Sequence, residues 1–285
     1  MSAPVRVARL AEWRGKRALV TGASSGIGRL FARRIARAGA RVALVARREA
    51  ELRALAAEIE AAGGEAAVVP ADVGDREQAL RCAERARAAL GGVDVLVNNA
   101  GYGHHRAFLD WDLDDMERVM RVNYLGALYL TKALLPAMVE RGRGWLVFVA
   151  SVAGRIAAPD ESAYVASKFA LAGLAASLSL EVEDAGVHVL TVYPGVIRTP
   201  FFDAEALARM PAVSRRLMVE PEGLVDAMLD ALARGQRELT HPRWIAPSYA
   251  VQALFPRFMR WGVRRSTLAA AGTARGPQPG DGGRR

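Results

Sequence analysis

Short β-branched apolar runs alternate with longer helical stretches along most of this chain, and that alternation limits what it can become. Strands are expected at residues 17–21, 42–46, 66–70, 93–97, 145–149, 187–192 and 237–240. Helical patterns fill the intervals at 27–38, 49–62, 76–90, 112–141, 162–185 and 222–233. Gly39, Gly63-Gly64 and Gly91-Gly92 follow three of these helices, at the position where the backbone must leave the helical conformation. The strands are continuously apolar, as in Val42-Ala-Leu-Val-Ala46, rather than alternating. Such strands are buried on both faces, an arrangement that parallel sheets covered by helices provide. The pattern predicts one α/β domain: a doubly wound, seven-stranded parallel sheet with helices on both faces.

The turn between the first strand and the first helix reads Thr21-Gly-Ala-Ser-Ser-Gly-Ile-Gly28. Glycines there let the backbone turn tightly and approach a pyrophosphate, whose charge is stabilised at the helix N-terminus. Gly22, Ser24, Ser25, Gly26, Ile27 and Gly28 are therefore candidate contacts for a dinucleotide in a Rossmann-type crevice. The end of the second strand selects the dinucleotide. An unphosphorylated ribose is usually held by an acid about 20 residues past the glycines. Ala46 stands in that place, and Arg47 and Arg48 follow it. Two guanidiniums and no carboxylate suit a 2′-phosphate, so NADP(H) is expected. The turn Asn98-Asn-Ala-Gly101 closes the fourth strand and is read as backbone shaped to lie under the cofactor.

A second constellation concerns proton transfer. Tyr164 and Lys168 are four residues apart and share a helix face. A phenol normally titrates near 10, and a neighbouring ammonium favours its charged form. The pair is thus expected to make Tyr164 a general acid/base. Lys168 is one of only three lysines among 39 basic residues, where a compact ammonium rather than a guanidinium fork was kept. Ser151 ends the apolar run 145–150 and can face Tyr164 across a cleft.

Bulk properties remove other classes. A chain of 285 residues, 52% hydrophobic and 24% charged, suits one large globular domain. The lone Cys82 excludes an internal disulfide or a cysteine-based zinc site. His104, His105, His188 and His241 lack metal-ligand spacing, and the first two are expected to line a loop or pocket mouth. The net charge of +9 is uneven: residues 243–285 hold eight arginines and one acid, Asp281, leaving 31 basic against 29 acidic residues before them. Basicity confined to one terminal segment, with no accompanying motif, argues against nucleic-acid binding. No uninterrupted run of about 18 apolar residues occurs, since Lys132 and Pro136 break the stretch 125–139. The first residues lack a signal-peptide core, so a cytoplasmic location is expected. The expected organisation is an N-terminal extension (1–14), a catalytic domain (15–242), a basic amphipathic segment (243–268) and a disordered tail (269–285).

Thr21-Gly-x-x-x-Gly-x-Gly28, Asp72-Val73, Asn98-Asn-Ala-Gly101, Asn123, Ser151, Tyr164-x-x-x-Lys168 and Pro194-Gly-x-x-x-Thr199 occur in this order. With these motifs the chain, over residues 15–240, resembles the short-chain dehydrogenase/reductase superfamily in its single-domain branch. The resemblance implies four catalytic residues. Tyr164 would exchange the proton and Ser151 orient the substrate oxygen. Lys168 would lower the tyrosine pKa and hold the nicotinamide ribose, and Asn123 would anchor a proton-relaying water. It further implies that Asp72 and Val73 contact the adenine and that Asn99, Ala100 and Gly101 lie beneath the cofactor. Pro194, Gly195, Val196, Ile197 and Thr199 would flank the nicotinamide, with Gly195 and Thr199 holding its carboxamide. Self-association as a homodimer or homotetramer through the fourth and fifth helices is also implied.

The expected activity is NADP(H)-dependent interconversion of a carbonyl and an alcohol, in the reductive direction, without metal. A non-catalytic NADP(H)-binding protein on the same fold is the alternative, which the intact Ser151, Tyr164 and Lys168 disfavour. Residues 200–211, with Tyr102 and Leu146, are expected to offer apolar surface to a bulky or lipophilic ketone or a 3-oxoacyl substrate, the former as a flap. Val251, Leu254, Phe255, Phe258 and Met259 recur at helical spacing, with Pro256 fitting a helix that starts near Phe255. That stripe is read as a lid over the pocket or a neighbouring subunit, in preference to peripheral membrane contact.

Overall fold

In the computed structural model the described residues are 9–201, 210 and 215–271. The strands are β1 (Arg17–Thr21), β2 (Arg41–Ala46), β3 (Glu65–Pro70), β4 (Val95–Asn98), β5 (Gly144–Val149), β6 (Val187–Pro194) and β7 (Glu238–His241). They form one sheet in the order β3-β2-β1-β4-β5-β6-β7, and every pairing is parallel. The helices are α1 (Gly26–Arg37), α2 (Glu49–Ala61), α3 (Arg76–Leu90), α4 (Leu113–Met120), α5 (Gly126–Glu140), α6 (Ser162–Glu181), α7 (Pro221–Arg234), α8 (Pro247–Leu254) and α9 (Pro256–Ala271). The doubly wound architecture expected from the sequence is the one present.

Successive strand side chains point to opposite faces, so each apolar run supplies two cores. Ala18, Val20, Val42, Leu44, Trp145 and Val147 pack with α1, α2 and α7. Leu19, Ala43, Val45, Leu146 and Phe148 pack with α3, α5 and α6. Phe148 is fully buried, and its truncation to alanine would cost about 3–5 kcal/mol. Leu146, expected at the substrate pocket, is 0% exposed and belongs to this second core. Its position in the middle of β5 turns it towards the helices and away from any opening.

Local signals set the helix ends. Asp75 caps α3 by accepting from the Gln78 amide, and Gly91 ends it in the left-handed conformation at φ +72°. Pro221 opens α7, and Gly235 closes it. The long helix expected at 112–141 is interrupted: a π-helical turn over Arg121–Leu125 separates α4 from α5. Such a turn re-aims side chains within a helix and recurs at functional sites; here it carries Asn123. Helices Leu113–Glu140 and Ser162–Glu181 are each long and apolar enough to cross a membrane, yet both pack against the sheet.

Candidate active site

Connections leave β1 and β4 towards opposite faces, and ligands of doubly wound sheets bind at the carboxyl ends of strands at such a switch point. A cleft of about 870 Å³ opens there. Its floor is held by a residue that the sequence reading quoted but did not single out. The Thr21 hydroxyl donates to the Val97 carbonyl and accepts from the Asn99 and Ala100 amides, at 3.1, 2.9 and 2.9 Å. Its place next to the first glycine of the turn was the available signal. The Asn99 side chain returns a bond to the Thr21 carbonyl at 2.9 Å. These four contacts fasten the glycine turn to the end of β4.

Gly22 sits at φ +67°, a conformation other residues rarely adopt. Behind it, a Cβ on Gly28 would stand 2.5 Å from both the Gly22 carbonyl oxygen and the Asn99 amide nitrogen. Gly28 therefore shapes the turn from behind and does not itself line the cleft. Helix α1 begins at this turn without a side-chain cap and without an acidic residue in its first turn. Its free amides and positive dipole end consequently face the cleft. Arg48 reaches over the turn and donates to the Ser24 and Ser25 hydroxyls at 2.9 and 3.0 Å. Arg47, exposed at the end of β2, lines the same end of the cleft together with Asp72 and Val73. Asp72 is occupied by an ion pair with Arg118 and by the Gly74 amide. Cradle and dipole together fit the pyrophosphate of a dinucleotide.

At the other end, Ser151 follows β5 and caps a short helical turn, Val152–Gly154, by accepting from the Ala153 amide at 3.1 Å. The Tyr164 phenol hydrogen-bonds Ser151. Lys168, one turn along α6, is 3% exposed, and its ammonium donates to the Val149 carbonyl at 2.9 Å. Burial pushes the Tyr164 phenol above its ordinary value of 10, while the Ser151 bond opposes that shift. Burial also pushes Lys168 down, to about 8. Burial therefore outweighs any lowering of the tyrosine pKa by Lys168 in this site. With Lys168 5.7 Å from the ring centroid, desolvation governs both groups. A phenol held protonated is still the form needed to give a proton away.

Asn123 is buried behind the cleft. Its side chain donates to the Tyr102 carbonyl and the Ser167 hydroxyl and accepts from the Tyr102 amide, each at 2.9 Å. These bonds clamp the loop after β4 against α6. Of the site residues expected from the sequence, Gly28 and Asn123 do not line the cleft; the others do. His104 and His105 also line it, and the His105 ring pairs with Glu161 at 2.9 Å.

The substrate side holds residues the sequence reading missed. Trp244, Ile245, Ser248 and Val263 line it, joined by Tyr102, Phe201, Met210 and Leu217. The remainder of the expected flap, 202–209 and 211, lies outside the described residues. Arg155 ties this side to the catalytic loop. It stacks on Tyr193 and Tyr249, with centroids 4.2 and 5.0 Å away, and pairs with Glu238. A lone arginine after a serine loop carried no sequence signal for that role.

The burial of Lys168 has a measurable consequence. A lysine with a lowered folded pKa binds its proton more tightly in the unfolded chain, so stability rises with pH between the two values. For Lys168 that window opens at about 8 and closes near the ordinary 10.5. Above 10 the raised Tyr164 acts in the opposite sense. We expect Lys168→Met to be the more stable protein at pH 7, even though it strands the Val149 carbonyl. Its advantage over the native chain should shrink by about 2–3 kcal/mol between pH 8 and pH 10. Parallel denaturation curves for the two proteins would show a constant difference if the lysine were solvated.

Comparison with known proteins agrees with this geometry. A Fatty acyl-CoA reductase from Acinetobacter baylyi is 38% identical over 243 residues, 84% of this chain and 80% of that protein. A metagenomic short-chain oxidoreductase crystallised with NADP is 34% identical with a TM-score of 0.68, over 80% of this chain and 95% of its own. A short chain dehydrogenase/reductase from Burkholderia phymatum, crystallised with NAD, is 27% identical with a TM-score of 0.78, over 86% and 95% of the two chains. The family model described as short chain dehydrogenase matches residues 16–209, from the start of β1 through the cleft residues after β6. On that match, and on a relative 38% identical over most of both chains, this chain belongs to the short chain dehydrogenase family of oxidoreductases.

Proposed function

We propose that this protein is an NADP(H)-dependent reductase of lipophilic carbonyl compounds. The observation that carries the reading is the placement of Ser151, Tyr164 and buried Lys168 together, at the apolar end of a dinucleotide-shaped cleft. The dinucleotide, when bound, supplies hydride to the carbonyl carbon. Ser151 donates to the substrate oxygen and fixes its position, so that developing negative charge meets a donor already in place. Tyr164 then gives that oxygen its proton from Oη. Lys168 holds the sugar end of the cofactor, and its ammonium favours the phenolate left behind.

Reduction is the favoured direction because the cofactor end suits a 2′-phosphate. Arg47 has no carboxylate competitor at the end of β2, and Arg48 is poised with Ser24 and Ser25. The substrate class follows from the opposite wall, where Phe201, Met210, Leu217, Trp244, Ile245 and Val263 supply apolar surface. The relative named as a fatty acyl-CoA reductase favours a carbonyl carried on a long acyl chain. Exposed Leu113, Val139, Phe169 and Leu180 on α4, α5 and α6 suit self-association as a homodimer or homotetramer.

Cofactor choice is tested by Arg47→Ala. A charge-assisted phosphate bond is worth about 1.5–3 kcal/mol, so NADPH should bind roughly 10- to 150-fold more weakly. NADH affinity should change less than about twofold, since its ribose offers Arg47 no charge. Equal losses for both dinucleotides in a fluorescence titration would remove the phosphate assignment.

A further inference from the structure

We propose that the outer face of α9 docks this protein on an anionic lipid bilayer. The expected single apolar stripe divides in the structure. Met259, Gly262 and Val263 turn inward, and Val263 lines the cleft. Leu254, Phe255, Phe258 and Trp261 instead remain 72%, 62%, 64% and 56% exposed. Phe258 and Trp261 stack on each other with centroids 6.0 Å apart, and Arg265 lies over Trp261 at 5.3 Å. Arg257, Arg260 and Arg264 are exposed along the flank of the aromatics. Single exposed apolar residues are ordinary, but four large ones along one helical hairpin mark an interaction surface.

Charge selects the occupant. Residues 243–271 contain Arg243, Arg257, Arg260, Arg264 and Arg265 and no acidic residue. Two copies meeting across a twofold axis would bring these arginines together, and nothing in the patch would neutralise them. A bilayer rich in acidic lipid supplies negative charge to the arginines and an interface for tryptophan and phenylalanine. The cleft and the patch lie on opposite sides of one helix, a separation of about 10 Å. A docked molecule would thus hold its substrate wall next to the membrane from which a lipophilic carbonyl partitions. That benefit rests on the proposed substrate class; the docking itself rests on the patch.

The test is flotation of the full chain with vesicles, without substrate or cofactor, so that its result does not depend on the proposed activity. We expect binding to equimolar phosphatidylglycerol–phosphatidylcholine vesicles at low salt, and little to pure phosphatidylcholine. F258S/W261S should weaken partition about tenfold or more. R257E/R260E/R264E should weaken it about a hundredfold, since each arginine contributes about fivefold near an anionic surface. Both variants should keep the native circular dichroism spectrum and melting temperature, which separates loss of docking from loss of folding. Binding to acidic vesicles no better than to neutral ones overturns the proposal. So does undiminished binding by both variants, or a shift of either in oligomeric state, which would assign the patch to a second copy of the chain.

Discussion

Replacing Tyr164 by phenylalanine is expected to lower kcat by about 10²–10⁴-fold while leaving NADPH affinity within about twofold of native. The substitution removes one oxygen and keeps the ring, which packs against Phe201 with centroids 5.6 Å apart and against Gly103. The shape of the cleft therefore survives. What disappears is the donor that Ser151 aligns and that burial keeps protonated. Ser151 can still hold the substrate oxygen, so KM should move little while the proton must come from water. Pre-steady-state turnover and a binding titration on the same preparation separate the two effects. Native kcat in the variant would assign proton delivery to another group.

The second large effect is expected at a position that does not line the cleft. Gly28→Ala would place a methyl group 2.5 Å from the Gly22 carbonyl oxygen and 2.9 Å from its carbon, both rigid backbone. The turn has to shift, and the Asn99 side chain, also 2.5 Å away, must release the Thr21 carbonyl. Overpacking of this kind costs about 1–3 kcal/mol, and the lost hydrogen bond adds about 1. We expect the melting temperature to fall and NADPH affinity to drop roughly a hundredfold, because the amides of the turn move with it. Gly173→Ala on α6 is the matched control: nothing lies within 4 Å of its added carbon, and alanine favours a helix. That variant should bind NADPH as the native protein does. Equal behaviour of the two variants would mean that the cradle tolerates more than its packing suggests.

How far the sequence reaches depends on where the determining contacts lie. The strands were readable because a parallel sheet buried on both faces demands continuous apolar runs, and chain order then constrains topology. The placement of the glycine turn, Arg47, Arg48 and the Tyr164–Lys168 pair at the cleft was readable because each lies within a few residues of a strand end or shares one helix face. The π-helical turn at Asn123 was not, since its residues have ordinary helix-forming patterns and nothing in them marks the deviation. Leu146 was misplaced for a related reason: an apolar residue near a site is indistinguishable in sequence from one facing a core. Trp244, Ile245, Ser248 and Val263 were missed because only the fold returns the chain after β7 to the cleft. The pKa balance at Tyr164 likewise depends on burial, which a four-residue spacing does not report.

The same physics explains an apparent conflict within the site. Lys168 is buried with one carbonyl partner, an arrangement that costs stability at neutral pH. A buried lysine in a chain with only three lysines among 39 basic residues fits a group that serves chemistry rather than folding.

NADPH-driven reduction of a lipophilic carbonyl in this cleft is measured most directly by NADPH absorbance with straight-chain aldehydes of increasing length. The proposed reductase should turn over these aldehydes with a kcat/KM that rises with chain length until the apolar wall is filled, each methylene contributing up to about 0.8 kcal/mol. It should also prefer NADPH over NADH by about tenfold or more. Tight NADPH binding with no consumption of NADPH by any carbonyl would contradict it, and would leave a protein that binds the dinucleotide without turnover.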